Sequence, residues 1–332
     1  MQPLTAFYDW LYLSALSQLD GWLERVRSGH RIGRGLNSAL VLGEHGMSLS
    51  KLTIRNATYL ADPSTGQDVY HVRDAHALVQ AAGYLKHIHG CNGGEHIFFR
   101  GESKLYGTLP PTLFRGVSTH AGQSRRIGLL NSALTAARTK NEIFSSLDPF
   151  AHEPLLQHYG LKTSWIDLVD NIWVALWFAC HKAYAAGPIG EYLHFEQRTD
   201  SKEPGGFAYI LLVSADSRPA QKSPPGAVIG KSTELIDLRV AAPSIFLRPH
   251  AQHGLLMRMR GNTAMRPIDY SPQVRGVIRI GLGDALEWLG HGKMLGVHAL
   301  FPPPFYDHGY DVLLRSGIIG SVDIGSIHHI GS

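Results

Sequence analysis

The sequence predicts an α+β fold, a mixed sheet of six or more strands with helices packed around it. Three observations carry that expectation. Four short runs, HIFF at 96–99, GFAYILLV at 206–213, LLMRM at 255–259 and GVIRIGL at 276–282, have the length and the aliphatic and aromatic content of buried strands. Between Val72 and Ile88, Ala75, Leu78, Val79, Ala82, Leu85 and Ile88 recur at helical spacing. From Trp173 to Ala179 the chain is apolar all round, and a helix without a polar face belongs inside a domain.

The chain has 332 residues, 44% of them hydrophobic, enough to fill a sizeable core. Its two cysteines, Cys91 and Cys180, rule out a disulfide framework and suit a reducing compartment. With no run approaching eighteen apolar residues and no charged-then-apolar leader, the expectation is a cytoplasmic protein without membrane contact. A formal charge of +4 is compatible with an anionic ligand or nucleic acid, but the 31 basic residues form no stripe, so charge alone assigns no partner.

Residues 5–27 place Phe7, Trp10, Leu11, Leu13, Leu16, Leu19, Trp22 and Leu23 at helical spacing, with Thr5 as a cap. Its aromatic face suits packing on the main domain, on a second copy of the chain or on another protein. A Gly-, Arg- and His-rich loop follows, then short strand-like pieces up to Tyr70, with a turn cluster at Asp62–Gly66. The expected division is therefore an N-terminal helical extension, 1–70, and a main domain, 71–332. In the loop after the helix at 72–88, His87, His89, Cys91, Glu95 and His96 lack the paired spacing of a metal site and read as a surface loop. Residues 187–205 are polar and read as a surface insertion. Gly230, Lys231 and Ser232 do not form a phosphate loop, because Pro225 stands where the first glycine belongs and TELIDLRV continues as a strand.

Chemistry concentrates in two places. Ile97, Phe98 and Phe99 deliver Arg100, Gly101 and Glu102 at a strand end. An arginine there is costly to bury without an anion or carboxylate, and a glycine after it leaves a ligand room to approach. The alternative is a salt bridge from Arg100 to a core aspartate. The second place is 151–186, where Gln157, His158 and Tyr159 end a short helix at Gly160, and Thr163, Ser164, Trp165, Ile166 and Asp167 form a turn or short extended piece. Asp167 or Asp170 then caps the apolar helix. These polar groups stand at a cleft that needs partners or ligands, or else they satisfy backbone groups and nothing more. Further on, Arg248, His250 and Gln252 alternate, so an extended segment would set all three on one face toward the same cleft. GVIRIGL leads into DALEWL, a short helix with Asp284 as its cap.

FRGES at 99–103, LPPTLFRG at 109–116, LLQHYGLKTSWIDLVDNIWVALWFA at 155–179 and PSIFLRPHAQHGLLMRM at 243–259 resemble, in order, the pattern of the FRG domain, a bacterial and phage-associated family. LFPPPFYDHGY at 300–310 resembles the family's tail. The chain departs from that pattern at Ser164 and Trp165, where the family has arginine and leucine. The resemblance in turn implies a likeness to the ADP-ribosyltransferase arrangement and its split sheet, with NAD as substrate. It implies a toxin or defence effector that transfers ADP-ribose to a protein or nucleic-acid acceptor, or hydrolyses NAD. Carried over, Arg100 and Gly101 would hold the diphosphate or ribose. Thr163 and Ser164 would brace the nicotinamide pocket, with His158, Tyr159, Arg248 and His250 around it. Gln252 would stabilise the ribosyl cation, with Asp167 and Glu102 as acidic alternatives. Two other functions stand beside this one: a binding module that senses a nucleotide or phage product, and a structural interaction domain using the N-terminal helix.

Overall fold

A computed structural model describes residues 53–61, 68–261 and 268–331. The helix expected over 5–27 and the turn at 62–66 lie outside the described residues. The elements follow in the order β1 (Ala57–Ala61), β2 (Asp68–Val72), α1 (Ala75–Gly93), β3 (Glu95–Glu102), α2 (His120–Lys140), α3 (Glu142–Ser145), α4 (Pro149–His158) and β4 (Ile166–Val169). Then come α5 (Ile172–Ala179), β5 (His181–Ala186), β6 (Tyr192–Gln197), β7 (Phe207–Asp216), β8 (Ala227–Ile229), β9 (Thr233–Asp237), α6 (Leu238–Ala241) and α7 (Leu247–Ala251). The chain closes with β10 (Gly254–Met259), β11 (Val274–Gly281), α8 (Leu282–Trp288), α9 (Val297–Leu300), α10 (His308–Arg315) and β12 (His329–Ile330).

Nine strands form one mixed sheet in the order β1-β2-β11-β7-β3-β4-β10-β9-β8, in which β2 and β11 are parallel and the other neighbours antiparallel. The sheet thus begins at Ala57, upstream of residue 70. Strand alternation sends successive side chains of β7 to opposite faces: Ile210 and Leu212 join one core, Leu211 and Val213 the other. The first core is closed by α1, α5 and α8, the second by α2, α4 and α10. The expected mixed sheet surrounded by helices is what the chain forms.

Local chemistry sets the element ends. Asp74 caps α1, its carboxylate accepting from the Ala77 amide at 2.7 Å. On this helix Leu78, Ala81, Ala82 and Leu85 are buried, but Val79 is 51% exposed, because the buried stripe is centred on Leu78 and Leu85. The cap of α5 is Asn171, which accepts from the Trp173 amide at 2.9 Å, and not Asp167 or Asp170. Asp167 lies inside β4, and Asp170 is taken by Arg239 at 2.8 Å. Asp284 falls in the first turn of α8 rather than at its cap. The segment expected as a surface insertion contributes β6, which pairs with β5 and β12 in a small second sheet. Gly230, Lys231 and Ser232 form the turn between β8 and β9.

The apolar helix is internal. In α5, Val174, Ala175, Leu176, Trp177 and Ala179 are buried. Trp177 donates its indole N–H to the Leu295 carbonyl at 2.8 Å and stacks on His181 at 3.9 Å between ring centres. Trp177→Ala is expected to destabilise the fold by about 3–5 kcal/mol, as a large-to-small change at a packed site. Denaturant unfolding reads this directly, and an unchanged midpoint would contradict the placement of α5.

Candidate functional site

The site starts from a fault in the sheet. β3 keeps eight register pairs with β7, from Glu95 to Glu102, but meets β4 at one pair, Phe99 with Val169. Beyond that pair a side chain replaces the backbone ladder: the Arg100 guanidinium donates from Nη1 to the Asp167 carbonyl at 2.9 Å. Beside this junction lies a cavity of about 620 Å³. Its walls come from β3 (Phe99, Arg100, Gly101), β4 (Asp167 to Val169), the end of α4 (Gln157, His158) and α7 with its C-cap (Arg248, Gln252). Phe178, Phe195 and Phe301 form an aromatic side, and Arg115, Arg126, Lys162 and His328 also line the cavity.

The polar groups hold one another. Arg100 Nε donates to Glu102 Oε1 at 2.7 Å. Burial works against the Arg100 charge, but Glu102 and Asp167 outweigh it and raise its pKa. The alternative of a salt bridge from Arg100 to a core aspartate is replaced by one to Glu102, while Asp167 meets Arg100 through its backbone carbonyl. Glu102 itself is not on the cavity wall. Asp167 Oδ2 accepts from Gln157 Nε2 at 2.7 Å, and Gln157 Oε1 accepts from the Thr163 hydroxyl. Thr163 Oγ1 also accepts from the Trp165 amide at 3.1 Å. Thr163 is wholly buried behind the wall, where it fixes Gln157 and through it Asp167. Ser164 faces elsewhere: its hydroxyl donates to Glu153 at 2.7 Å.

At the end of α7, Gln252 Nε2 donates to the Leu300 carbonyl at 2.8 Å. Arg248 and Gln252 do not share an extended face with His250. Residues 247–251 form a helical turn, so positions 248 and 252, four apart, come to the same side while His250 turns away from the cavity. The physical cause is that Pro249 cannot donate to a strand ladder yet is tolerated in a first helical turn. Tyr159 also lies off the wall, its hydroxyl donating to Asp307 Oδ2 at 2.7 Å. The helix preceding it ends as expected, with Gly160 at φ +124°.

Gly101 has a different reason from the one expected. A Cβ there would lie 1.8 Å from the Ala175 carbonyl oxygen, so the glycine admits α5 against β3 rather than clearing a ligand's path. Gly254 does clear space within the site: a Cβ would fall 2.3 Å from His158 Cε1. The His158 pKa is lowered, by burial first and also by Arg248, against the opposing pull of Asp167 and Gln252. Arg115 is lowered as well, by burial and then by repulsion from Arg100. His328 is pushed down to about 4 by burial, with Arg248 and Lys162 adding to it.

The structure thus brings Arg100, Gly101, His158, Asp167, Arg248 and Gln252 to one cavity and leaves Glu102, Tyr159, Thr163, Ser164 and His250 off its wall. Arg115, Arg126, Lys162, His328 and Phe301 were not singled out from sequence. Arg115 had a signal in the second arginine-glycine of LPPTLFRG, and Lys162 and Phe301 lie within the 155–179 and 300–310 motif segments without being marked by them; Arg126 and His328 stand in segments with no motif. The residues expected as a histidine-rich surface loop are instead the last turns of α1, which runs to Gly93, and the start of β3, where Glu95 pairs with Arg275 at 2.6 Å. Among the described residues no helix is long and apolar enough to cross a membrane.

Residues 95–186 match the family model of the FRG domain, and the chain carries an FRG domain over that span. The match runs from β3 to β5 and includes the Phe99-Arg100-Gly101 tripeptide, Gln157, His158, Thr163 and Asp167; Arg248 and Gln252 lie beyond it. Comparison with curated proteins and with solved structures finds no match in either.

Proposed function

We propose that the cavity binds a nucleotide through its diphosphate, that NAD is this ligand, and that the chain consumes it. The reaction is ADP-ribosyl transfer to a protein or nucleic-acid acceptor, or hydrolysis. One observation carries this reading. Arg100, Arg115, Arg126, Lys162 and Arg248 converge from separate parts of the chain on a cavity whose lining holds a single carboxylate, Asp167, and whose other side is aromatic. Guanidinium and ammonium groups suit phosphate oxygens, and phenyl faces suit a base. Cleaving the nicotinamide–ribose bond builds positive charge at the ribose, which a fixed carboxylate or amide dipole stabilises. Asp167, Gln157 and Gln252 are the groups of that kind on the wall, and the Gln157 amide is already engaged by Asp167 and Thr163. Depletion of NAD would make such a protein a toxin or a defence effector.

A second reading, a module that binds a nucleotide or phage product without chemistry, draws on how fully these groups are engaged. Gln252 gives its amide N–H to Leu300, and Asp167 accepts from Gln157, so the wall is a rigid recognition surface as it stands. The structural interaction domain rests on the N-terminal helix, outside the described residues.

Arg100→Lys tests the binding claim. Lysine keeps the charge but not the planar fork that reaches both Glu102 and a phosphate. NAD affinity by calorimetry is expected to fall at least about tenfold, a loss of roughly 1.4 kcal/mol. Equal affinity would remove Arg100 from the site.

A further inference from the structure

Arg248 is the least satisfied cation in the cavity wall. Its side chain is 1% exposed, and its guanidinium carbon lies 4.5 Å from the ring centres of both Tyr159 and Tyr310. Nη1 donates to the His158 carbonyl at 2.8 Å, while Nε and Nη2 are buried without a hydrogen-bond partner. Those two N–H groups lie along one edge of the guanidinium, the edge that grips two oxygens of an oxyanion at once. The nearby carboxylate of Asp307 is committed to other donors: the Arg248 backbone amide at 3.0 Å, the Tyr159 hydroxyl and the Tyr310 amide. His158, 9% exposed and on the same wall, has neither ring nitrogen in a hydrogen bond of good geometry, although the Gln252 side chain lies close to it. Aromatic faces offset part of the cost of a buried cation but accept no N–H bond along that edge, and an unmade buried bond is expensive.

We propose that Arg248 and His158 form a phosphate subsite in the cavity wall, distinct from Arg100. The unpartnered guanidinium edge takes two phosphoryl oxygens, and the imidazole N–H donates to a third or to the bridging oxygen. A tetrahedral group with three terminal oxygens can serve three donors, one more than the two oxygens of a carboxylate. The proposal deepens the nucleotide reading and rests on it for the source of the phosphate, which is one phosphoryl group of the nucleotide rather than free inorganic phosphate.

The test is calorimetric titration of the full chain with pyrophosphate, with inorganic phosphate and with NAD, repeated on Arg248→Lys and His158→Gln. Pyrophosphate is expected to bind the wild-type chain and to be displaced by NAD. Arg248→Lys is expected to weaken both at least tenfold, with a smaller loss in His158→Gln. Pyrophosphate binding that depends on Arg248 in a chain that ignores NAD would uphold the subsite and overturn the NAD reading. NAD binding unaffected by Arg248→Lys, or no binding of pyrophosphate to the wild type, would overturn the subsite. Inorganic phosphate binding as tightly as pyrophosphate, without displacement by NAD, would overturn the nucleotide as source. If Arg248→Lys does not fold, heteronuclear NMR of the unmodified chain decides. The arginine Nε–H signal in through-space contact with two tyrosine rings must shift when pyrophosphate is added, and a signal that stays in place overturns the proposal.

Discussion

Gly101→Ala is expected to abolish folding of the domain. The added methyl would lie 1.8 Å from the Ala175 carbonyl oxygen and 2.8 Å from both the Ala175 carbonyl carbon and the Ala179 nitrogen. All three are backbone atoms of a buried helix, so no side chain can swing aside; β3 and α5 would have to separate. That separation would open the core around Phe99, Leu176 and Leu212 and pull Arg100 away from the Asp167 carbonyl. Gly83→Ala is the control. Gly83 sits in α1 with nothing within 4 Å of the added carbon, and alanine there is expected to stabilise by up to about 1 kcal/mol through helix propensity. Circular dichroism melting of the two variants measures the contrast, and a cooperative Gly101→Ala melt near the wild-type temperature would contradict the packing of β3 on α5.

Gln252→Ala is expected to lower nicotinamide release at least about a hundredfold, the usual cost of removing a fixed dipole from a charged transition state. NAD affinity should change little, because ground-state binding rests on the cationic wall, and a loss confined to turnover is the signature of a transition-state contact. Gln252→Glu separates chemistry from packing. A carboxylate stabilises a ribosyl cation at least as well, so turnover is expected to persist. The Leu300 carbonyl loses the donor it now has at 2.8 Å, so the melting temperature is expected to fall. If Gln252→Ala releases nicotinamide at the wild-type rate, Gln252 has no part in the reaction and Asp167 takes its place as the candidate.

The strands of this fold are legible because their burial is written in composition. Ile97 to Phe99, Phe207 to Val213 and Leu255 to Met257 are apolar on both faces, and such runs have few other places to go. Arg100 was legible for the converse reason, a charge set at the end of a buried run. The helical turn at Leu247–Ala251 was not: Arg248, His250 and Gln252 alternate as a strand would, and only the surrounding fold decides between two periods over five residues. The role of Gly101 was hidden too, since a glycine records that space is short without recording what fills it. Arg126 and Lys162 were illegible because a basic residue in a helix or loop reads as solvated surface. Tertiary contacts draw them in: Arg126 is held by the Leu113 and Arg115 carbonyls, and Lys162 by that of Val322. Thr163 was legible as a special residue and its part in the site was not, since its hydroxyl acts through Gln157.

A crystal structure of the chain grown with NAD tests the central claim most directly. The diphosphate is expected in the cavity between β3, β4 and α7, within hydrogen-bond reach of Arg100 or Arg248, with the ribose beside Asp167 or Gln252. NAD bound on another surface, or a cavity empty at an NAD concentration that saturates the calorimetric titration, would contradict it.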